Sequence, residues 1–321
     1  LDMISGIGVS YLGHHNPHII KAIHNQADQY LHTMVYGEHV QSPQVRLAEL
    51  LVSQLPFNLN TVFFQTTGAE AIEGAIKMAK KYTARPEIIA FKKAYHGSTY
   101  GAMSLMSDSN KTQGYEPVLP GIKHLEFNAI DQLESITENT AAVVMEVIQA
   151  EAGIILPELG FIKAVRERCT ATSTFLILDE IQTGFWRTGP RFAAEAEQVV
   201  PDIMVLAKAL GGGLVPIGAC VMKRSVYSEE FGMKHSSTFG GNGLCARIAC
   251  AALEEFERRQ ALLEQNVNDR AHQLYAAHCS LQQRFPRVVR GIAGRGLLQG
   301  VHLALDRKQV SQRRGNILCV L

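Results

Sequence analysis

Two charged side chains, Asp179 and Lys208, each close a run of apolar residues of strand length. Asp179 follows Phe175-Leu176-Ile177-Leu178, and Lys208 follows Ile203-Met204-Val205-Leu206-Ala207. Continuous apolar runs of this length read as parallel strands buried on both faces. Ligands of open α/β sheets bind outside the carboxyl ends of such strands. An amine held there in a dry pocket loses proton affinity, because desolvation disfavours the ammonium form. It can then form a Schiff base with an aldehyde. A carboxylate facing the far end of a pyridine ring keeps the ring nitrogen protonated, which lets pyridoxal 5'-phosphate act as an electron sink. A plainer reading competes on spacing alone: strand ends are often charged, and both groups can be solvated or tied into surface ion pairs.

The elements that must position this pair follow from the pattern around it. Strand-like runs stand at 61–65, 87–91, 122–127, 141–148, 174–179, 203–208 and 217–222, most of them separated by helix-length stretches. That alternation predicts a mainly parallel seven-stranded sheet with helices on both faces. After the first strand, Thr67 and Glu70 have the spacing of a capping box. Ile72, Ala75, Ile76 and Ala79 then give the helix an apolar face. A strand that enters a capped helix through small residues offers backbone N–H groups and a positive dipole end to a phosphate. Many capped helices bind nothing, so this pattern is weak in isolation. Tyr95, beside His96 and Gly97 after the second strand, can stack on a flat ring or simply pack. Helices are also expected from Pro17 to about Tyr30, near 43–54, over about 245–263 and around 268–285, with strands near 288–292 and 297–303 after them. Gly294-Arg295-Gly296 resembles half a dinucleotide fingerprint, but no helix or ribose-binding acid follows it, so it reads as a turn between strands.

Composition narrows the classes. A chain of 321 residues suggests two domains. With 31 basic and 30 acidic residues, nothing points to nucleic acid or an anionic membrane. The longest apolar stretches are strand-length, which predicts no transmembrane helix. The six cysteines are scattered with no C-x-x-C pair, as in a reducing compartment, so a cytoplasmic location is expected. No signal peptide is visible, although the opening on Leu1 leaves room for a preceding segment. His14 and His18 have metal spacing, but Asn16-Pro17 interrupts a helix between them and no third ligand is near, so no metal is expected. Neither a G-x-S-x-G elbow nor a G-x-x-x-x-G-K-[ST] loop is present.

Taken together, the segments TTGAEAIEGAIKMAK, AYHGSTYGAMS, MEVIQAEAG, LDEIQTGFWRTG, PDIMVLAKALGGG and HSSTFGGN resemble the class III family of pyridoxal-phosphate-dependent aminotransferases in composition and order, across essentially the whole chain. The resemblance implies the fold-type I scaffold: α/β, a large domain with a mainly parallel seven-stranded sheet, and a smaller α+β domain. On that scheme 1–33 begin the small domain, 34–250 form the large cofactor-binding domain, and 251–321 return to an apparently incomplete small domain. Lys208 is then the residue that carries the cofactor as a Schiff base and later moves the substrate proton as general base. Asp179 holds the pyridine nitrogen protonated, Gln182 meets the ring hydroxyl, Ile181 packs beneath the ring and Tyr95 stacks above it. Gly68 and Ala69 give backbone N–H groups to the phosphate. Thr238 reaches the phosphate of a neighbouring subunit, which makes a homodimer the functional unit; without the family it reads as an ordinary turn hydroxyl.

Glu146 and Glu151 match two acids of the family's substrate side. The second is implied to mask an arginine while an ω-amine donor binds and to release it for a 2-oxo acid, in a ping-pong reaction. That arginine is not identifiable in this chain. Departures from the family pattern bear on the donor: Val147 stands for the usual proline and Ala150 for the usual glycine. Ile7 stands where ornithine-type enzymes carry a tyrosine in the N-terminal strand. The apolar Ile7 leans toward a simpler amine or ω-amino acid, as in putrescine-type relatives, while the sequence around Glu151 and Asp179 also resembles ornithine enzymes. The implied activity is amino transfer from an ω-amine or ω-amino acid (diamine, ornithine or acetylornithine type) to a 2-oxo acid, 2-oxoglutarate foremost. A decarboxylating transaminase or an aminomutase of the same family is the nearest alternative. A nicotinamide-dependent dehydrogenase or a non-catalytic binding relative are the rivals from other classes.

Overall fold

The computed structural model of the chain describes residue 2 and residues 4–304. Seven strands form the main sheet: β1 Thr61–Gln65, β2 Glu87–Phe91, β3 Ile122–Leu125, β4 Thr140–Glu146, β5 Phe175–Asp179, β6 Ile203–Leu206 and β7 Gly218–Met222. Their spatial order is β1-β7-β6-β5-β4-β2-β3. All neighbours pair in parallel except β7, which runs antiparallel to both β1 and β6. The direction of β7 has a local cause. The 207–217 connection holds only one helical turn, Lys208–Gly211, and a parallel return needs a crossover of a dozen residues or more, usually a helix.

Strands β2, β4, β6 and β7 are buried along their whole length, as a sheet covered on both faces requires. Alternate residues serve opposite sides. On β4, Val143 and Met145 join Phe91, Phe161 and Leu178 in one core, while Ala142 and Val144 join Ile177 and Val205 in the other. Helix α1 Pro17–Ala27, α2 Ser42–Ser53 and α3 Gly68–Thr83 precede α4 Phe161–Ala171, α5 Gly243–Arg258 and α6 Gln260–Arg284. Helix α3 presents Ile72, Ala75, Ile76 and Ala79 to the second core, the face its sequence predicts. Helix α5 runs apolar against the first core through Ala246, Ala249, Leu253 and Phe256.

After α6, strands β8 Val289–Arg295 and β9 Leu298–Leu303 form a separate antiparallel pair. Gly294-Arg295-Gly296 therefore lies at a hairpin end, and among the described residues strand β9 follows it rather than a helix. The fingerprint that the dehydrogenase reading needs is absent from this segment. Among the described residues no helix is long and apolar enough to cross a membrane, and Cys169, Cys220, Cys245, Cys250 and Cys279 are free. Cys319 and residues 305–321 of the expected small domain lie outside the described residues.

Candidate active site

Because β2, β4, β5 and β6 are parallel, their carboxyl ends share one edge of the sheet, and the chemistry-bearing residues collect there. Glu146 ends β4, directly opposite Asp179 at the end of β5. Lys208 follows β6 after Ala207, and Tyr95 and His96 stand in the loop after β2. With the N-terminal turn of α3, these elements enclose a cavity of about 730 Å³. Lys208, Asp179, Glu146, Tyr95, Gly68, Ala69, Ile181 and Gln182 all line it.

The α3 end is built as its sequence implies. Thr67 caps the helix by accepting from the Glu70 N–H at 3.2 Å. The Glu70 carboxylate returns to the N–H groups of Thr66 and Thr67 at 2.9 and 3.1 Å. The N–H groups of Gly68 and Ala69 belong to the first turn, which has no intrahelical acceptor, and both residues line the cavity. A Cβ on Gly68 would lie 2.8 Å from Ile181 Cδ1 and 3.3 Å from Ala207 Cβ, so glycine is what lets the helix end close on the cavity. Gly97 does the same from the other side: at φ +122°, its missing Cβ would meet Ala69 Cβ at 2.5 Å.

At the floor, Asp179 is 5% exposed. Its Oδ1 accepts the Ile181 N–H at 3.0 Å and its Oδ2 lies 2.8 Å from His96 Nδ1. A carboxylate can only accept, so His96 Nδ1 carries the hydrogen. Burial of the His96 ring favours its neutral form, but the hydrogen bond and charge of Asp179, with help from Glu146, outweigh burial and hold its pKa above the ordinary value. His96 is the functional residue that sequence reasoning placed in a motif without assigning it a role. Its partner lies 83 residues away, and no local pattern signals that contact.

Glu146 is pushed up to about 7, chiefly by burial, against the pull of His96 and of the Tyr95 and Ala150 N–H groups that it accepts. Burial lowers the Lys208 pKa, opposed by the charges of Asp179, Glu146 and Glu151. The Lys208 Nζ donates to Gln182 Oε1 at 2.9 Å. Its backbone is left-handed, at φ +46°, a strained setting for a lysine of the kind that gathers at functional sites.

The next residue, Glu180, is fully buried and holds the loop that carries Ile181 and Gln182. Its Oε2 accepts the Ala193 N–H at 3.1 Å and the Thr183 hydroxyl, and its Oε1 accepts the Ala194 N–H at 2.7 Å. Both oxygens are thus committed to backbone donors. Glu180→Gln turns one donor against an amide NH₂ and is expected to cost about 1–3 kcal/mol. Urea unfolding of the variant measures that loss.

Three expected site residues fall outside the cavity wall. Ile7 is 66% exposed, on a turn in which Gly6, Ile7 and Gly8 all have positive φ, so the N-terminal strand expected there does not form. The residue of that segment which lines the cavity is Val9, and Tyr11 donates its hydroxyl to the Gln182 carbonyl at 2.9 Å. Thr238 is exposed, beside Ser237, whose hydroxyl lies 3.1 Å from that of Thr66 at the α3 end. Glu151 sits outside the wall and pairs with Lys111.

A buried acid and a lysine of lowered pKa, on one cavity with a glycine-bordered helix end, define an enzyme that holds a phosphorylated carbonyl cofactor. The comparisons make this specific: the chain belongs to the class-III aminotransferases, whose family description matches residues 1–316. It is 37% identical to an acetylornithine aminotransferase of Methanopyrus kandleri over 96% of this chain and 77% of the relative. Among solved structures it is similar to the ornithine aminotransferase of Toxoplasma gondii ME49 (TM-score 0.85, 30% identity, 97% of this chain and 75% of that one). It is also similar to the taurine:2-oxoglutarate aminotransferase of Bifidobacterium kashiwanohense, solved with PLP and glutamate (TM-score 0.85, 28% identity, 94% and 73%). The protein is a fold-type I, pyridoxal-phosphate-dependent aminotransferase.

The residues present fit that cofactor. Thr99 Oγ1 and His96 Nε2, buried polar atoms without a partner among the described residues, belong to residues of the cavity wall. The wall combines a lysine, a carboxylate and a helix end, the donor set that an aldehyde, a ring nitrogen and a phosphate would need.

Proposed function

We propose that this aminotransferase takes its amino group from an ω-amine or ω-amino acid of the acetylornithine, ornithine or diamine type and passes it to a 2-oxo acid, 2-oxoglutarate foremost. The observation that carries the site assignment is the convergence of Lys208, Asp179 and the Gly68–Ala69 helix end on one cavity. The donor class rests on the 37% identity to an acetylornithine aminotransferase.

In this reading Lys208 binds the cofactor aldehyde, Asp179 the ring nitrogen and Gln182 the ring hydroxyl. Ile181 and Tyr95 cover the two ring faces, and Gly68 and Ala69 donate to the phosphate. The bound cofactor supplies an electron sink for the carbon that loses its proton. The protein supplies the rest. Lys208, kept dry and therefore more readily neutral, would take up the proton from the substrate carbon on its Nζ and hold it for return. Gln182, 2.9 Å from Nζ, holds that amine in place between transfers. Asp179 is held in place because the Ile181 N–H and His96 Nδ1 donate to its two oxygens. Glu146 anchors the Tyr95 loop to the end of β4 through the Tyr95 N–H.

Thr238 is proposed to serve the cavity of a second copy in a homodimer, since its exposed position leaves it outside the wall in its own chain. The division into 1–33, 34–250 and 251–321 and a cytoplasmic location belong to the same proposal. The test is a donor panel with purified holoenzyme: N-acetylornithine, ornithine, putrescine and 4-aminobutyrate, each with 2-oxoglutarate and with pyruvate. Glutamate formation from at least one ω-amine is the expected result. Turnover only with α-amino donors, or carbon dioxide release in step with product, overturns the donor assignment.

A further inference from the structure

Arg187 brings a positive charge close to Lys208 without lining the cavity. Its guanidinium lies 3.9 Å over the centre of the Tyr11 ring, within cation–π range. Tyr11 in turn donates its hydroxyl to the Gln182 carbonyl at 2.9 Å, and Gln182 Oε1 accepts the Lys208 amine at 2.9 Å. Four residues from three separate segments thus form one line that ends on the Lys208 nitrogen.

The backbone is built to hold Arg187 at the start of that line. Phe185 and Trp186, both buried, sit at φ +56° and +65°, a left-handed setting that bulky residues adopt only under constraint. The Arg187 carbonyl accepts the Leu297 N–H at 2.8 Å, from the turn between β8 and β9. Gly296 permits that close contact: at φ +59°, a Cβ there would lie 2.7 Å from the Arg187 oxygen and 2.5 Å from the Thr188 carbonyl carbon. The hairpin therefore fixes the backbone of Arg187, while the N-terminal segment receives its side chain. Arg187 Nε is buried without a hydrogen-bond partner among the described residues, and the guanidinium meets the Tyr11 ring instead.

Charge acts in the same direction as geometry. Burial lowers the Lys208 pKa; Asp179, Glu146 and Glu151 oppose that, and Arg187 reinforces it. Burial also holds the Tyr11 hydroxyl above the ordinary tyrosine range, so it stays a donor at neutral pH.

We propose that Arg187 is a positioning residue for amino transfer: stacked on Tyr11, it fixes the Gln182 loop and, through the Gln182 side chain, the amine of Lys208. This inference rests on the aminotransferase reading above and adds to it a residue outside the cavity wall.

The experiment compares Arg187→Met, Arg187→Lys and Tyr11→Phe with the parent holoenzyme. In Arg187→Met, kcat is expected to fall by roughly tenfold, the worth of one hydrogen bond to a charged group, with KM within about twofold of the parent. The pH midpoint of the bound chromophore should move up, because the Lys208 nitrogen loses one positive neighbour and keeps its proton more tightly. Arg187→Lys keeps the charge without the planar stack, so its midpoint should stay parental while kcat remains low. Tyr11→Phe keeps the ring but not the hydroxyl, and its kcat loss should fail to add to that of Arg187→Met. Hydrogen exchange is a readout that needs no turnover: the amides of 9–12 and 181–184 should exchange faster in Arg187→Met. Parental kcat in Arg187→Met, additive losses in the double variant, or unchanged exchange in both segments overturns the positioning role. A parent protein that transaminates no donor, with both segments loosened in Arg187→Met, sinks the functional reading and leaves the hold on Lys208 standing.

Discussion

Lys208→Ala is expected to lower transamination by on the order of 10⁴-fold, the upper end of what a positioned general base supplies. The reason is double. Lys208 is the one amine among the cavity-wall side chains, so on the proposed reading its removal takes away both the group that holds the cofactor covalently and the group that moves the proton. The variant should also lack the yellow absorbance of the parent protein and the bleaching of that colour by borohydride. Small primary amines added from solution should restore part of the rate, because the truncated side chain leaves room where Nζ met Gln182. In the parent enzyme the neutral amine is the active base, so rate is lost as pH falls through the lysine pKa. Since burial lowers that pKa, the acid limb of the kcat profile should lie below the ordinary lysine range. A Lys208→Ala enzyme that turns over within tenfold of the parent ends the assignment.

The parts of this site that could be read from sequence are those whose cause is local. Fully apolar runs at 175–178 and 203–207 mean strands buried on both faces, and a charge after such a run has to lie at the sheet edge. Both Asp179 and Lys208 were therefore placeable before their neighbours were known. The Thr67–Glu70 capping box is equally local and forms as its spacing implies. Three features were not visible in this way. The reversal of β7 depends on how little helix the 207–217 connection contains, and a strand pattern carries no direction. The segment at Ile7 alternates like an extended run, yet four consecutive positive φ values, Ser5 to Gly8, fold it into a turn, and Val9 lines the cavity instead. His96–Asp179 and Lys111–Glu151 are contacts between the segment that follows β2 and the ends of β5 and β4, 83 and 40 residues apart in the chain. They exist only because the parallel sheet lines up its carboxyl ends.

Asp179→Asn is the second substitution with a large expected effect, and its signature differs from that of Lys208→Ala. The amide keeps the size of the side chain but carries no charge, so nothing holds a proton on a ring nitrogen that faces it. The rate should fall by about 10²- to 10³-fold, comparable to removing one preorganised electrostatic partner from an active site. Lys208 remains, so the protein should stay yellow and reducible by borohydride, with an altered absorbance maximum. His96 separates charge from position. It touches Asp179 through Nδ1 at 2.8 Å and is fully enclosed, so it acts as a positioning residue rather than on substrate. His96→Phe keeps the hydrogen bond from the Ile181 N–H to Oδ1 but frees Oδ2. The rate should drop by roughly tenfold, about one hydrogen bond to a charged group, and the pH midpoint of the bound chromophore should move. In the double variant the losses should fail to add, because with Asp179 neutral His96 has no charge left to orient. Additive losses in that cycle, or an Asp179→Asn enzyme with parental kcat, place the electron-withdrawing partner of the ring somewhere other than the end of β5.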